Sequence, residues 1–374
     1  MRLCKLPHTH LQDKSPANNL ELQLDCGEIK LENFNMASGL KDFMKNLPKA
    51  ELHIHLEGAL EPELMFKFAE RNRIRLKWES PDELRKRLEF KSLSDFLEVY
   101  FKACEVIRTQ EDFFELATFY LRKAISQNVR HAEIFLGPQS FMDKGVSLND
   151  IFDGVFAAQE CLKDKISSYI LPSVLRTRPP EEAFKLLEEM RPWLSKIRGV
   201  GMGGAEKGHP TQGFSKYFRR CKELGLKTTV HAGEETSAEC IQEAIQNIRP
   251  DRIDHGLKAF ESRELMSYLS EVRIPITLCP ISNIKLKNVQ SAENLPIREF
   301  MKAGILLTIN SDDPAYFSAY ANENYELCAR TFELDKSKLC ELAKNSFEAS
   351  FLPRERKDEF IREVDEYFLK MKCR

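Results

Sequence analysis

The feature that most constrains this chain is a repeating alternation. Short apolar runs of strand length recur along it, separated by amphipathic segments of helical period. The runs lie at 51–56, 131–136, 168–175, 199–203, 227–231, 252–256, 275–279 and 305–310. Helical patterns lie between them at 61–72, 111–127, 150–162, 179–190, 214–224, 237–248, 262–272 and 296–303, and residues 316–352 and 354–372 read as helical throughout. Continuous apolar runs mark strands buried on both faces. Eight strand–helix units with no glycine-rich dinucleotide turn predict an α/β fold of the closed (β/α)8 TIM-barrel type rather than an open doubly wound sheet. The long stretch between the first two runs predicts a helical insertion after strand 1, and the tail predicts extra C-terminal helices. Residues 1–45 are polar and irregular and are expected to be an N-terminal extension, with the barrel domain over 46–374.

Composition narrows the partners. Lys+Arg is 56 and Asp+Glu is 58, for a formal net charge of −2. That balance gives no reason to expect nucleic acid or an anionic membrane surface. No run of about 18 apolar residues is present, so no spanning helix is expected. The N-terminal segment lacks the apolar core of a secretory signal. The 10 cysteines form no CxxC pair. Scattered cysteines in a chain of this size are expected to be reduced thiols in a cytoplasmic protein.

In a (β/α)8 barrel, catalytic groups sit at the C-terminal ends of strands. Four histidines fall at such ends: His53 and His55 on strand 1, His231 on strand 5 and His255 on strand 6. Glu206 lies just past strand 4, and Ser311-Asp312-Asp313 ends strand 8. His53 and His55 are two apart, so both point to one face of a strand and can chelate one metal. His231 and Asp312 complete a nitrogen–oxygen shell that suits one zinc ion per chain, with a position left for water. Water made acidic by a metal needs a base, for which His255 is the candidate, and a proton donor, for which Glu234 is the candidate. Adjacent Asp312 and Asp313 point to different sides and should do different work. Each feature has a plainer explanation. An isolated HxH is often packing, Glu234 could be a helix N-terminal charge, and an Asp-Asp-Pro sequence often caps a helix.

At this point the motifs carry a resemblance. LPKAELHIHLEGALEP (47–62), HAGEE (231–235), RIDHG (252–256), CPISN (279–283) and NSDDPAYF (310–317) resemble the adenosine/adenine deaminase family. The resemblance spans 47–352 and implies a zinc-dependent purine aminohydrolase on a TIM barrel. It implies that His53, His55, His231 and Asp312 hold zinc, Glu234 donates a proton to purine N1, and His255 orients and deprotonates the attacking water. It further implies that Asp313 hydrogen-bonds N7 and that Gly204 offers its N–H to N3. The cytidine-type zinc deaminases use a paired-cysteine signature instead, and its PCxxC is absent here. EIFLGPQS (133–140), GAEKGHP (204–210) and Glu57 are more similar to the adenine-specific branch, which implies deamination of adenine to hypoxanthine and ammonia in purine salvage. Gly203-Gly204-Ala205 and Gly137 stand where that branch has larger polar residues. Adenosine and an N6-substituted adenine therefore remain alternative substrates. The insertion after strand 1 and the loop with Gln139 and Phe141 are the segments expected to close over the substrate's N9. A catalytically dead barrel acting as a binding protein would have lost a ligand or Glu234, and this chain has lost neither.

Overall fold

The computed structural model describes residues 38–372. Residues 1–37 of the extension expected over 1–45 lie outside the described residues. Eight strands form one sheet in the order β1 to β8, every described pairing parallel. They are β1 (Lys49–His55), β2 (Val129–Leu136), β3 (Ser167–Leu175), β4 (Gly199–Gly203), β5 (Lys227–Ala232), β6 (Arg252–His255), β7 (Ile276–Leu278) and β8 (Leu307–Ile309). The sheet closes through a parallel bridge between Ile54 and Asp312. There His55 N–H donates to the Asp312 carbonyl at 2.9 Å, and Asp312 N–H to the His53 carbonyl at 3.0 Å. The closing seam thus runs through three residues assigned to the metal.

The strands are short and buried on both faces, as the apolar runs require. Several intervening helices begin at a side-chain cap. Thr109 and Asp112 form a reciprocal capping box for the helix Gln110–Ser126, and Ser92, Ser147 and Ser262 cap the starts of Leu93–Cys104, Leu148–Leu162 and Arg263–Val272.

Two details differ from the sequence expectation. The short helix Ser38–Asn46, at the end of the stretch read as an extension, is packed on the barrel domain rather than lying outside it. Its Phe43 is fully buried, its ring centroid lies 5.1 Å from that of Tyr367, and Tyr367 Oη donates to its carbonyl at 3.0 Å. This turn of chain therefore packs on the last helix, Arg354–Lys372. The segment 316–352 is also not one continuous helix. It breaks into Pro314–Phe317, Ala321–Thr331 and Lys336–Glu348. Ser318 and Glu333 turn into the left-handed region at φ 52° and 53°, and Asp335 restarts the chain by accepting Lys338 N–H at 2.9 Å. No described helix is long and apolar enough to cross a membrane.

Candidate active site

The strand ends bring the expected residues together. His53, His55, His231 and Asp312 each offer one ligand atom, all within 4.8 Å of one another. Asp312 Oδ1 lies 3.2 Å from His53 Nε2 and 3.3 Å from His55 Nε2, and the His55 and His231 Nε2 atoms are 3.2 Å apart. His53 Nε2 and Asp312 Oδ1 are buried with no hydrogen-bond partner. Unsatisfied buried polar atoms are costly. Two of them converging with two more imidazole nitrogens make a donor set that a divalent cation satisfies. The residues present therefore fit a resident metal.

The ligands are oriented from behind. His53 Nδ1 lies 3.0 Å from Thr277 Oγ1, whose hydroxyl donates to Asp254 Oδ1 at 3.0 Å. His231 Nδ1 lies 3.3 Å from Asp254 Oδ2. One carboxylate thus serves two imidazoles. Burial alone would raise the Asp254 pKa, but the contact with His231 and the charges of His53 and Arg252 hold it well below the usual carboxylate range. Ser282 Oγ donates to Asp312 Oδ2 at 2.6 Å, leaving Oδ1 free for the cluster. Sequence reasoning missed Thr277, Ser282 and the role of Asp254. The spacing of Arg252 and Asp254 at i, i+2 was a usable signal, because both then face the barrel interior with the metal histidines.

His255 and Asp312 adopt φ of 59° and 65°. Such left-handed backbone is uncommon outside glycine and costs on the order of 1–3 kcal/mol. The strain turns each side chain from its strand end into the mouth. His255 Nε2 comes 3.5 Å from Glu234 Oε2 and 4.0 Å from Asp312 Oδ2. On the other side of the ring, Nδ1 lies 3.3 Å from Asn283 Nδ2, while Asn283 Oδ1 is buried with no hydrogen-bond partner, an arrangement that favours rotating the amide by 180°. With that oxygen turned to the ring it accepts Nδ1–H, and Nε2 keeps its lone pair toward the cluster. Burial lowers the His255 pKa well below that of free imidazole, which also favours the neutral, proton-accepting form.

Glu234 does not cap a helix, since the next one begins at Ala238. Its carboxyl is buried, and burial followed by the charges of Asp312 and Glu206 pushes its pKa well above the usual range. A carboxyl whose pKa is raised in this way keeps its proton more readily and is suited to donate one. Asp313 does not cap the helix Pro314–Phe317 with its side chain either. Its Oδ1 is buried without a partner beside the pocket. Gly204, at φ 92°, lines the pocket wall as expected.

The pocket opens over the donor set and is lined by His55, His231, Glu234, His255, Asp312 and Asp313. Its roof is the helix Leu93–Cys104 from the insertion. Leu93, Phe96, Leu97, Tyr100 and Phe101 follow an i, i+3, i+4, i+7, i+8 stripe and all line the cavity. Phe96 packs on Tyr316 and Phe317 at centroid distances of 5.5 and 5.2 Å, tying the roof to the helix after Asp313. The other expected closing segment is corrected in detail. Phe141 is fully buried against Phe113, and Gln139 Oε1 accepts Leu175 N–H at 2.9 Å. Both support the wall from behind, and it is Gly137 and Ser140 of that loop that line the pocket.

A nitrogen–oxygen donor set at the strand ends that fits a metal ion, with a buried carboxyl and a buried histidine beside it, is the arrangement of a metal-dependent hydrolase barrel. Residues 48–367 match the family model for adenosine deaminase, and the chain belongs to that family. It is 42% identical over 327 residues to an adenine deaminase of Wolinella succinogenes, covering 87% of this chain and 99% of the relative. It is 40% identical over 333 residues to an adenine deaminase of Cupriavidus necator, covering 88% and 95%. The crystal structure of an adenine deaminase from Arthrobacter aurescens superposes with a TM-score of 0.84 at 36% identity, covering 86% of this chain and 99% of that one.

Proposed function

We propose that this enzyme hydrolyses adenine to hypoxanthine and ammonia, with zinc held by His53, His55, His231 and Asp312. The observation that carries the reading is the placement of the buried Glu234 carboxyl and the buried His255 beside that cluster, under an apolar roof. Zinc, when bound there, supplies positive charge and lets water attack near neutral pH. His255 Nε2 orients the attacking water and takes its proton. Glu234 donates a proton to purine N1, so that C6 can accept the new C–O bond without charge building on the ring. Proton return to the 6-amino group then lets ammonia leave. Asp313, with its free Oδ1, holds N7, and the Gly204 N–H meets N3. The roof helix excludes bulk water, which strengthens each of these polar contacts.

Free adenine fits better than a nucleotide. No Arg or Lys lines the described pocket, so a phosphate would find no counter-charge there. The relatives of highest identity named above are adenine deaminases. The test is Glu234→Gln, which keeps size but has no acidic proton. Its kcat should fall roughly 10²–10⁴-fold, the usual range for a general acid–base group, while zinc content stays at one per chain. Near wild-type turnover would remove Glu234 from the donor role.

A further inference from the structure

Glu234 reaches the site from a turn, and its own side chain is weakly held. Its Oε1 accepts from Asn288 Nδ2 at 3.3 Å, and its Oε2 lies 3.5 Å from His255. The position of the carboxyl is therefore set largely by the backbone beneath it. That backbone is gripped by one side chain. The buried Glu206 carboxylate, from the loop after β4, accepts Gly233 N–H on Oε1 at 2.6 Å. On Oε2 it accepts the N–H groups of Glu234, Glu235 and Thr236 at 3.1, 3.2 and 3.3 Å. Four consecutive N–H groups converge on one carboxylate, an anion nest built inside the protein. Gly233, at φ 67°, allows the turn that aims them, and a Cβ there would meet Ile241. The grip is returned, because Glu235 Oε1 accepts from Glu206 N–H at 3.0 Å and from Lys207 N–H at 3.1 Å.

We propose that Glu206 is a positioning residue for Glu234: by collecting these four N–H groups it fixes the turn from which the proton donor reaches the purine. The proposal rests on Glu234 being that donor. Charge-assisted bonds to a carboxylate are stronger than neutral ones. A glutamine at 206 cannot reproduce them. It has one acceptor oxygen, and in either orientation its NH2 faces at least one N–H donor.

The experiment is a double-mutant cycle on zinc-loaded enzyme with adenine. Glu206→Gln should lower kcat by about 10- to 100-fold, as expected for displacement of a reacting group by a fraction of an ångström to one ångström. KM should stay within about threefold and zinc at one per chain, since no metal ligand or purine contact is removed. The second arm compares Glu234→Gln with Glu206→Gln/Glu234→Gln, their residual turnover followed at high enzyme concentration. Glu206→Gln should now cost less than about threefold, because there is no donor left to position. An equal loss in both backgrounds, or no loss in either, overturns the proposal. If Glu206→Gln does not fold, Glu235→Ala removes the returning half of the grip. A kcat loss from Glu235→Ala that vanishes in the Glu234→Gln background supports the proposal, and any other result overturns it. Failure of the donor reading shows separately, as full activity of Glu234→Gln alone.

Discussion

Replacing Asp254 with asparagine should weaken the metal site without touching a ligand. A histidine that binds metal through Nε2 carries its proton on Nδ1 and must donate it. His231 Nδ1 has only Asp254 Oδ2 in reach, at 3.3 Å, and neither atom has another hydrogen-bond partner. His53 Nδ1 donates to Thr277 Oγ1, whose own proton goes to Asp254 Oδ1 at 3.0 Å. The carboxylate accepts on both oxygens, whereas asparagine accepts on one. If its oxygen faces His231, its NH2 meets Thr277 and the hydroxyl proton has no acceptor. If the amide is turned round, NH2 faces His231 Nδ1–H. Loss of one outer partner usually costs 10–100-fold in metal affinity, or roughly 1.4–2.8 kcal/mol at 1.4 kcal/mol per tenfold. Asp254→Asn should lie at or above the top of that range, because two imidazoles depend on it. Thr277→Val breaks only the relay to His53 and should fall near the bottom. The assay is zinc competition against a chromophoric chelator at fixed pH, with both variants checked for wild-type folding. Zinc affinity of Asp254→Asn within threefold of wild type would refute the reasoning.

Further outcomes follow from the same contacts. A Cβ at Gly58 would lie 2.6 Å from the Asp313 Cα, so Gly58→Ala must push the backbone that carries both aspartates. A displacement near 1 Å costs about 10²-fold, which kcat/KM for adenine will show; unchanged activity would mean that the strand end yields freely. Arg252 is fully buried and pairs with Glu133 at 2.6 Å, holding the Glu133 pKa low against its burial. Arg252→Met should destabilise by about 3–5 kcal/mol by leaving the buried Glu133 carboxylate without its arginine partner, with just the His131 ring and the Phe351 N–H beside it. Part of the lost unfolding midpoint should return in Arg252→Met/Glu133→Gln, and equal midpoints for the two variants would contradict this.

Much of the fold was legible because burial on both faces writes itself as continuous apolar runs. The eight runs coincide with β1–β8 to within a few residues at each end. The cluster residues were legible because they interrupt those runs with polar groups at the strand ends. Tertiary partners were not legible in this way. Nothing local marks Thr277 as the acceptor for His53, or Glu206 as the acceptor for a turn on another loop. The left-handed backbone of His255 and Asp312 is also invisible, since neither residue type announces it. The roof helix had a readable stripe from Leu93 to Phe101, but the stripe says only that one face is apolar, not that it covers a pocket. In the tail, the periodicity runs through breaks that Ser318 and Glu333 make by adopting positive φ, a conformation neither residue type announces.

The central claim is that this pocket takes the free base. It is tested most directly by kcat/KM for adenine against adenosine on one zinc-loaded preparation, followed at the ultraviolet band of the 6-aminopurine ring. The account predicts that adenine is the better substrate, because the Leu93–Cys104 roof closes over the site and a ribose must displace it. A preference for adenosine of about tenfold or more, or roughly 1.4 kcal/mol, would contradict it.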